Sequence, residues 1–269
     1  MLTDAQVAAY NDRGFLRGSK ILSDDQVGIL QEEVERVIRD RDRKDVPQPL
    51  GIRDIGPAGA APLWQIGNIW QASQPFFDLI SHQKIVEEVA QLTGANELRI
   101  WHDQIQYKTS SGGGVNMWHQ DAPYWPILKP LDLMLTAWVA LDDIDEENGC
   151  MSMVPHSHQW GDKIQWIHNN IRSFEKLPAD CEDEKIEAVL CPVPKGVVHY
   201  HHSLTWHGSN VNRSTRPRRA IALHYLTDQV RYHAAGGHMM KQFVTSADGE
   251  LLRGTNFPTV WQREAQPVA

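Results

Sequence analysis

Apolar residues recur along this chain with two different periods. Near the N-terminus the spacing is helical. Thr3 stands where a cap is expected, and Val7 and Tyr10 follow on one face. Ser23 and Gln26 have the Ser-x-x-Gln form of a capping box, and Val27, Leu30, Val34, Val37 and Ile38 fall on one stripe behind them. Residues 39–44 are a charged run that reads as a solvated helix end. A third amphipathic helix is predicted over residues 76–92, with Phe77, Ile80, Ile85, Val86 and Val89 inward and Gly94 as its stop.

Elsewhere the pattern is that of strands, predicted at 14–16, 63–70, 98–108, 133–141, 189–193, 196–201 and 220–226. Gln65 and Asn68, polar among apolar neighbours, either face a cavity or are satisfied within a plain sheet. Residues 47–62, rich in Gly, Pro and Ala, read as a mobile surface loop near a site mouth. The run 110–114 reads as a flexible loop, since no helix start or Gly-Lys-Ser/Thr follows it to make a phosphate cradle. Residues 142–148 form an acidic turn closed by Gly149, and 160–187 form an insertion between strands that carries Trp166 and Phe174. The segment through Trp261 is expected to pack outside the strands or at a dimer contact. The fold class is therefore mainly β with flanking helices.

The candidate chemistry lies in Trp118-His119-Gln120-Asp121. On a strand, residues i and i+2 share a face, so His119 and Asp121 can offer an imidazole and a carboxylate to one metal. His207, in Trp206-His207-Gly208-Ser209, is the best third ligand. Two histidines and one carboxylate with open positions opposite suit non-haem Fe(II) and O2. His-x-Asp alone is common, and one histidine among thirteen says little. Arg218 adds the specificity. It lies eleven residues after His207, so a chain that turns and returns antiparallel brings its guanidinium back near the metal. There it can grip the far carboxylate of a 2-oxoglutarate with paired hydrogen bonds, and Ser209, on the strand face of His207, can join it. Tyr124 and Trp125 are candidate substrate contacts, with core packing as the alternative. His199, His201 and His202 read as structural or supporting histidines. Zn(II) hydrolysis is an alternative use of the triad, but it leaves Arg218 unexplained. A non-catalytic binding protein is another.

These segments, with Glu147-Asn148-Gly149-Cys150-Met151, Val154-Pro155-His156-Ser157-His158 and the closing Asn256-Phe257-Pro258, resemble the phytanoyl-CoA dioxygenase family of Fe(II)/2-oxoglutarate oxygenases over nearly the whole length. The resemblance implies a double-stranded β-helix, a jelly-roll barrel. It also implies decarboxylation of 2-oxoglutarate to succinate and CO2, coupled to oxidation of a second substrate. It implies that Gln104 and Trp138 contact 2-oxoglutarate, and that the insertion at 160–187 covers the barrel mouth. His156 stands where the family usually has glycine, so it either points to the pocket and tunes substrate choice or sits on the surface. Halogenating relatives replace the metal-binding carboxylate with a small residue. Asp121 is present, which favours hydroxylation.

Composition narrows the picture further. At 269 residues the chain suits one domain, spanning 1–269. Its net charge of −8 gives no basic footprint for nucleic acid. The same balance favours a small or medium-sized metabolite over an acyl-CoA, although an acyl-CoA hydroxylase remains the alternative. Three cysteines fit a reducing compartment, no run approaches ~20 apolar residues, and no leader is expected. The expectation is a cytoplasmic monomer or homodimer with no membrane segment.

Overall fold

In the computed structural model, which describes residues 1–110 and 114–264, helices gather at the N-terminal end and strands fill the rest. The chain opens with α1 (Asp4–Arg13), β1 (Phe15–Lys20) and α2 (Asp24–Arg39). It continues through β2 (Gly51–Asp54), β3 (Leu63–Gly67), α3 (Gln74–Ile80), α4 (Gln83–Thr93), β4 (Glu97–Lys108) and β5 (Asn116–His119). Next come β6 (Leu128–Lys129), β7 (Met134–Ala140), β8 (Met151–Met153) and α5 (Ile164–Asn170). The strands β9 (Asp180–Cys181), β10 (Glu184–Lys185), β11 (Val189–Cys191), β12 (Val197–His202) and β13 (His207–Ser209) follow. The described chain closes with β14 (Arg218–Thr227), β15 (Arg231–Tyr232) and β16 (Thr259–Gln262). Thr3 and Ser23 each form the full capping box with the glutamine three residues on.

Two antiparallel sheets carry the architecture. The larger runs in the order β1-β12-β7-β14-β4-β3-β2, and the smaller is β11-β8-β13-β5. The larger sheet separates two environments by the period-two alternation of its side chains. Ile66, Ile105, Ile221 and Val139 are aligned across β3, β4, β14 and β7, and all are fully buried against the helices. Each such side chain contributes about 1.5–3 kcal/mol of burial. One residue along, Gln104, Ala222 and Trp138 are aligned in the same way and look to the other side, into a cavity. Trp138 and Ala140 pack there with Met151, Met153 and Cys191 of the smaller sheet.

The structure departs from the sequence pattern in four places. The predicted helix over 76–92 is two helices, because Ser81 and His82 leave helical geometry between α3 and α4. The buried stripe of α3 is Phe76, Leu79 and Ile80, and Phe77, expected inward, is 40% exposed. The strand predicted over 63–70 stops at Gly67, where Asn68 takes a left-handed conformation and a short turn follows. The buried Asp103 carboxylate holds that turn, accepting from Ile69 N at 2.9 Å and Trp70 N at 3.2 Å. The loop predicted over 47–62 contains β2, an edge strand of the larger sheet. The segment through Trp261 forms β16, which pairs with β4, and Trp261 packs half-buried on the helix-side core. Residues 111–113 of the glycine-rich run lie outside the described residues.

The turn that leads from β7 into β8 depends on Gly149. Its φ is +84°, and a Cβ there would meet the Asn210 carbonyl oxygen at 2.5 Å. Gly149→Ala is expected to destabilise the fold by about 2–4 kcal/mol through left-handed strain and steric overlap. Urea denaturation checks this, and an unchanged midpoint would contradict it.

Candidate active site

The two sheets bring His119 and His207 together directly. His119 ends β5, His207 begins β13, and the two are paired residues across the ladder, with ring centroids 4.1 Å apart. Each ring is oriented by a backbone carbonyl. His119 Nδ1 lies 2.7 Å from Met117 O, and His207 Nδ1 lies 2.9 Å from Thr205 O. A neutral imidazole facing a carbonyl must donate from that nitrogen, which leaves Nε2 as a lone pair. Asp121 arrives by a different route from the one the strand pattern suggested. The strand ends at His119, and Asp121 sits past it in helical backbone geometry, heading the short turn 122–124. The intervening Gln120 pins this bend. Its amide donates to Gly161 O and Leu204 O, and its carbonyl accepts from Lys163 N. Asp121 Oδ1 then lies 3.7 Å from His119 Nε2 and 3.6 Å from His207 Nε2. One donor atom from each residue falls within 4.8 Å of the others.

A row of polar groups on three neighbouring strands holds the carboxylate. Thr136 Oγ1 donates to Asp121 Oδ2 at 2.9 Å, and His201 Nε2 lies 3.2 Å from the same oxygen. His224 Nδ1 is 2.8 Å from the Thr136 hydroxyl. His224, Thr136 and His201 are aligned across β14, β7 and β12. Burial alone would raise the Asp121 pKa, but the histidines around it hold it well below the usual carboxylate range. Burial pushes His119 down to about 4 and lowers His207 as well. At neutral pH the site is an ionised carboxylate facing two neutral imidazole lone pairs. Three electron-pair donors converge with no proton between them, which is the donor set of a divalent cation. Thr136 and His224 were missed in the sequence; the only signal was a polar residue inside an otherwise apolar strand.

Lining the same cavity as the triad is Arg218, at the start of β14, 1% exposed. Its guanidinium carbon sits 5.0 Å from the centre of the Trp138 ring. Among the described residues, Nε and Nη1 are buried without a hydrogen-bond partner. Burial pushes its pKa down to about 10, so it stays charged at neutral pH. Ser209, Gln104 and Trp138 line the same cavity. Lys108, which sequence reading did not single out, is fully buried behind them. Its Nζ donates to Ser209 Oγ at 2.8 Å and to the carbonyls of Ser209 and Asn210. The Ser209 hydroxyl accepts there, so its own proton is free to be donated. A buried cation with two unpartnered donors beside a free hydroxyl fits a carboxylate.

The family model "Phytanoyl-CoA dioxygenase (PhyH)" matches residues 10–220. The chain belongs to the phytanoyl-CoA dioxygenase family. It is 27% identical over 247 residues to the peroxisomal phytanoyl-CoA dioxygenase of Rattus norvegicus, spanning 85% of this chain and 69% of that one. It is 29% identical over 240 residues to a probable alpha-ketoglutarate-dependent hypophosphite dioxygenase of Stutzerimonas stutzeri, spanning 82% of this chain and 77% of that one. Among solved structures, the non-heme alpha ketoglutarate dependent carbocyclase SnoK is 26% identical with a TM-score of 0.77, over 97% of both chains. EctD from S. alaskensis with 2-oxoglutarate and 5-hydroxyectoine shares the fold, at 19% identity and a TM-score of 0.70 over 95% of this chain and 86% of that one.

The cavity in this dioxygenase holds about 780 Å³ and reaches from Arg218 past the triad to the surface. Both aromatic candidates line it. Trp125 is 5% exposed and packs edge-on against His102 and His224. Tyr124 is 46% exposed, with its hydroxyl 2.9 Å from His168 Nε2. His156 is a correction, since it stands away from the cavity. It takes the left-handed conformation at φ 66°, the geometry that glycine serves best, and its Nδ1 lies 2.9 Å from Asp12 O. The insertion at 160–187 mostly packs elsewhere too. Trp160 and Trp166 lie on Trp206, Phe174 stacks on Trp118, and His168 alone of its described residues lines the cavity. Gln65 and Asn68 do line it.

Two outcomes follow from this geometry. Thr136→Val removes the donor to Asp121 Oδ2 while keeping the side-chain shape, and is expected to weaken Fe(II) binding by about 10–100-fold. Anaerobic competition against a chelator measures this, and an unchanged affinity would count against the orienting role. The second concerns pH. Burial pushes His102, His119 and His202 down to about 4 and holds His199 and His224 well below the ordinary value. The unfolded chain therefore takes up more protons as pH falls from about 6.5 towards 4, and stability is lost across that window. Calorimetry on the metal-free protein should show a melting temperature lower at pH 5 than at pH 7, by on the order of 10 °C. A flat profile would contradict the buried neutral state of these rings.

Proposed function

We propose that this dioxygenase is a non-haem Fe(II)/2-oxoglutarate enzyme that hydroxylates an unactivated C–H bond of a small or medium-sized metabolite. One observation carries the reading. A fully buried arginine with unpartnered donors lines the same cavity as a His-Asp-His donor set. A zinc hydrolase would have no use for that arginine, whereas a chelating keto acid with a remote carboxylate needs both. The facing of the eight strands β12-β7-β14-β4 and β11-β8-β13-β5 supports a double-stranded β-helix forming one oxygenase domain.

In this reading His119, Asp121 and His207 hold the iron, and Arg218 and Ser209 hold the far carboxylate of 2-oxoglutarate. When bound, the two supply O2 activation and the oxidation of a C–H bond, with release of succinate and CO2. The chain's own residues set the conditions. Thr136 and His201 fix the orientation of Asp121. Trp138 covers one face of the Arg218 guanidinium and keeps water from it. Ala222, between Gln104 and Trp138 in the aligned row, leaves room for the keto acid. Gln104 presents an amide beside it. Tyr124 and Trp125 offer an aromatic wall on the substrate side.

The cavity bears on substrate size. Arg53 and Arg218 are the cations among its lining residues, and a coenzyme A carries several phosphate charges. A thioester of that kind would meet little complementary charge on a chain of net charge −8. The name of the rat relative favours an acyl-CoA, and turnover of acyl-CoA thioesters with no turnover of free small molecules would establish that second reading. Cys150, Cys181 and Cys191 are all free and buried, which supports a reducing compartment such as the cytoplasm. Among the described residues no helix is long and apolar enough to cross a membrane.

The test is an anaerobic titration with Fe(II) and 2-oxoglutarate, followed by the weak visible charge-transfer band of a chelated keto acid. The wild type is expected to form the band and Asp121→Ala to need more Fe(II) to form it. Arg218→Ala is expected to raise the 2-oxoglutarate concentration needed by at least about 30-fold, the cost of removing a buried charge partner. Absence of a band, with zinc co-purifying stoichiometrically, would sink the proposal.

A further inference from the structure

The edge of the larger sheet that borders the cavity has its own chemistry. Arg53, Gln65 and Gln106 are aligned across β2, β3 and β4, and all three line the cavity. The Arg53 guanidinium is tethered from one side, with Nε at 2.9 Å and Nη2 at 2.6 Å from Gln65 Oε1. Gln106 is held in turn by a hydrogen bond from Asn116 Nδ2. A neutral amide therefore orients Arg53 without neutralising it. Its sequence neighbour Asp54 is turned to other work, accepting from Gly56 N at 2.8 Å and Leu63 N at 3.0 Å. Among the described residues Arg53 is in no ion pair, and the one carboxylate lining the cavity is Asp121, already engaged with the triad.

Two residues along each strand on the same face, the row continues as Gly51, Gly67 and Gln104. Both glycines line the cavity, and a Cβ on either would meet nothing within 4 Å. The wall is thus a charged edge beside a space that no side chain among the described residues fills. Met117 and Met239, 40% and 62% exposed, give the mouth apolar surface. Arg53 is separated from Ala220, two residues from Arg218, by three strand spacings, roughly 14 Å. It therefore addresses a different group from the one Arg218 holds.

We propose that Arg53 binds a carboxylate of the substrate to be oxidised, and that this substrate is a monocarboxylic acid whose apolar body lies along Gly51 and Gly67. The inference rests on the oxygenase reading above and narrows its substrate class. A single guanidinium backed by neutral amides matches one carboxylate, through two charge-assisted hydrogen bonds from a planar fork.

The test uses the anaerobic Fe(II)/2-oxoglutarate holoenzyme, so that Arg218 is already engaged. Octanoate and 3-phenylpropanoate are compared by equilibrium dialysis with their primary amides, octanamide and 3-phenylpropanamide. At least one acid is expected to bind about ten-fold or more tighter than its amide. Arg53→Gln is expected to remove that difference and leave the charge-transfer band unchanged. The inference is overturned if acid and amide bind alike, if no acid binds at millimolar concentration, or if the preference survives in Arg53→Gln. The band, recorded on the same samples, separates the two failures. With the band present, only the carboxylate assignment falls; without it, the oxygenase reading and this inference fall together.

Discussion

One buried anion constrains the whole arrangement. Taking a carboxylate out of water costs several kcal/mol even after relaxation, unless partners replace the lost hydration. Asp121 is 9% exposed, and only one of its oxygens is served by the protein, through Thr136 and His201. The other faces two imidazole nitrogens that have already committed their protons to backbone carbonyls. The folded chain thus supports an electrostatic conflict that a cation relieves. Structure and metal binding are coupled through that single oxygen.

The consequence spreads through the central strands. To serve Asp121 Oδ2, β7, β12 and β14 must each place a polar residue at the same level, in β7 within a strand that is otherwise apolar. The opposite face of the same sheet must stay aliphatic to seat the helices. A slip of one residue in β7 would put Leu135 where Thr136 stands and turn Thr136 into the helix-side core. The aligned isoleucines and valine on the helix side therefore do more than stabilise. They fix the register on which the hydrogen bond to Asp121 depends.

What could be read in the sequence follows the same division. Local signals were legible: the Thr3 cap, the Ser23 capping box, the Gly94 stop, and the triad and Arg218 as candidates, because residue type and spacing carry them. Contacts that depend on pairing across strands were not. Thr136 and His224 are remote in sequence from Asp121, and a polar residue inside a strand does not name its partner until β7 and β14 are laid side by side. β2 looked like loop because its apolar pattern is weak and its strand character comes from β3. Asp121 was expected on a strand with His119, yet it reaches the site through a bend held by Gln120, whose partners lie some forty and eighty residues downstream. His156, standing where the family usually has glycine, left both a pocket and a surface position open. The backbone geometry explains why glycine suits that turn.

The placement of the two cavity arginines separates chemistry from recognition. Arg218 starts β14, inside the larger sheet, where it is paired with Lys108 of β4, so a change there disturbs the strand that also carries His224. Arg53 sits on β2, the last strand of that sheet, paired only with β3. Substitution at a sheet edge is felt by one neighbour and leaves the central register intact. An edge strand facing the cavity can therefore change what is recognised while the carboxylate, the imidazoles and the buried guanidinium keep their geometry. On this scaffold the freedom to alter substrate lies at β2 and β3, because those strands border the cavity without helping to hold Asp121.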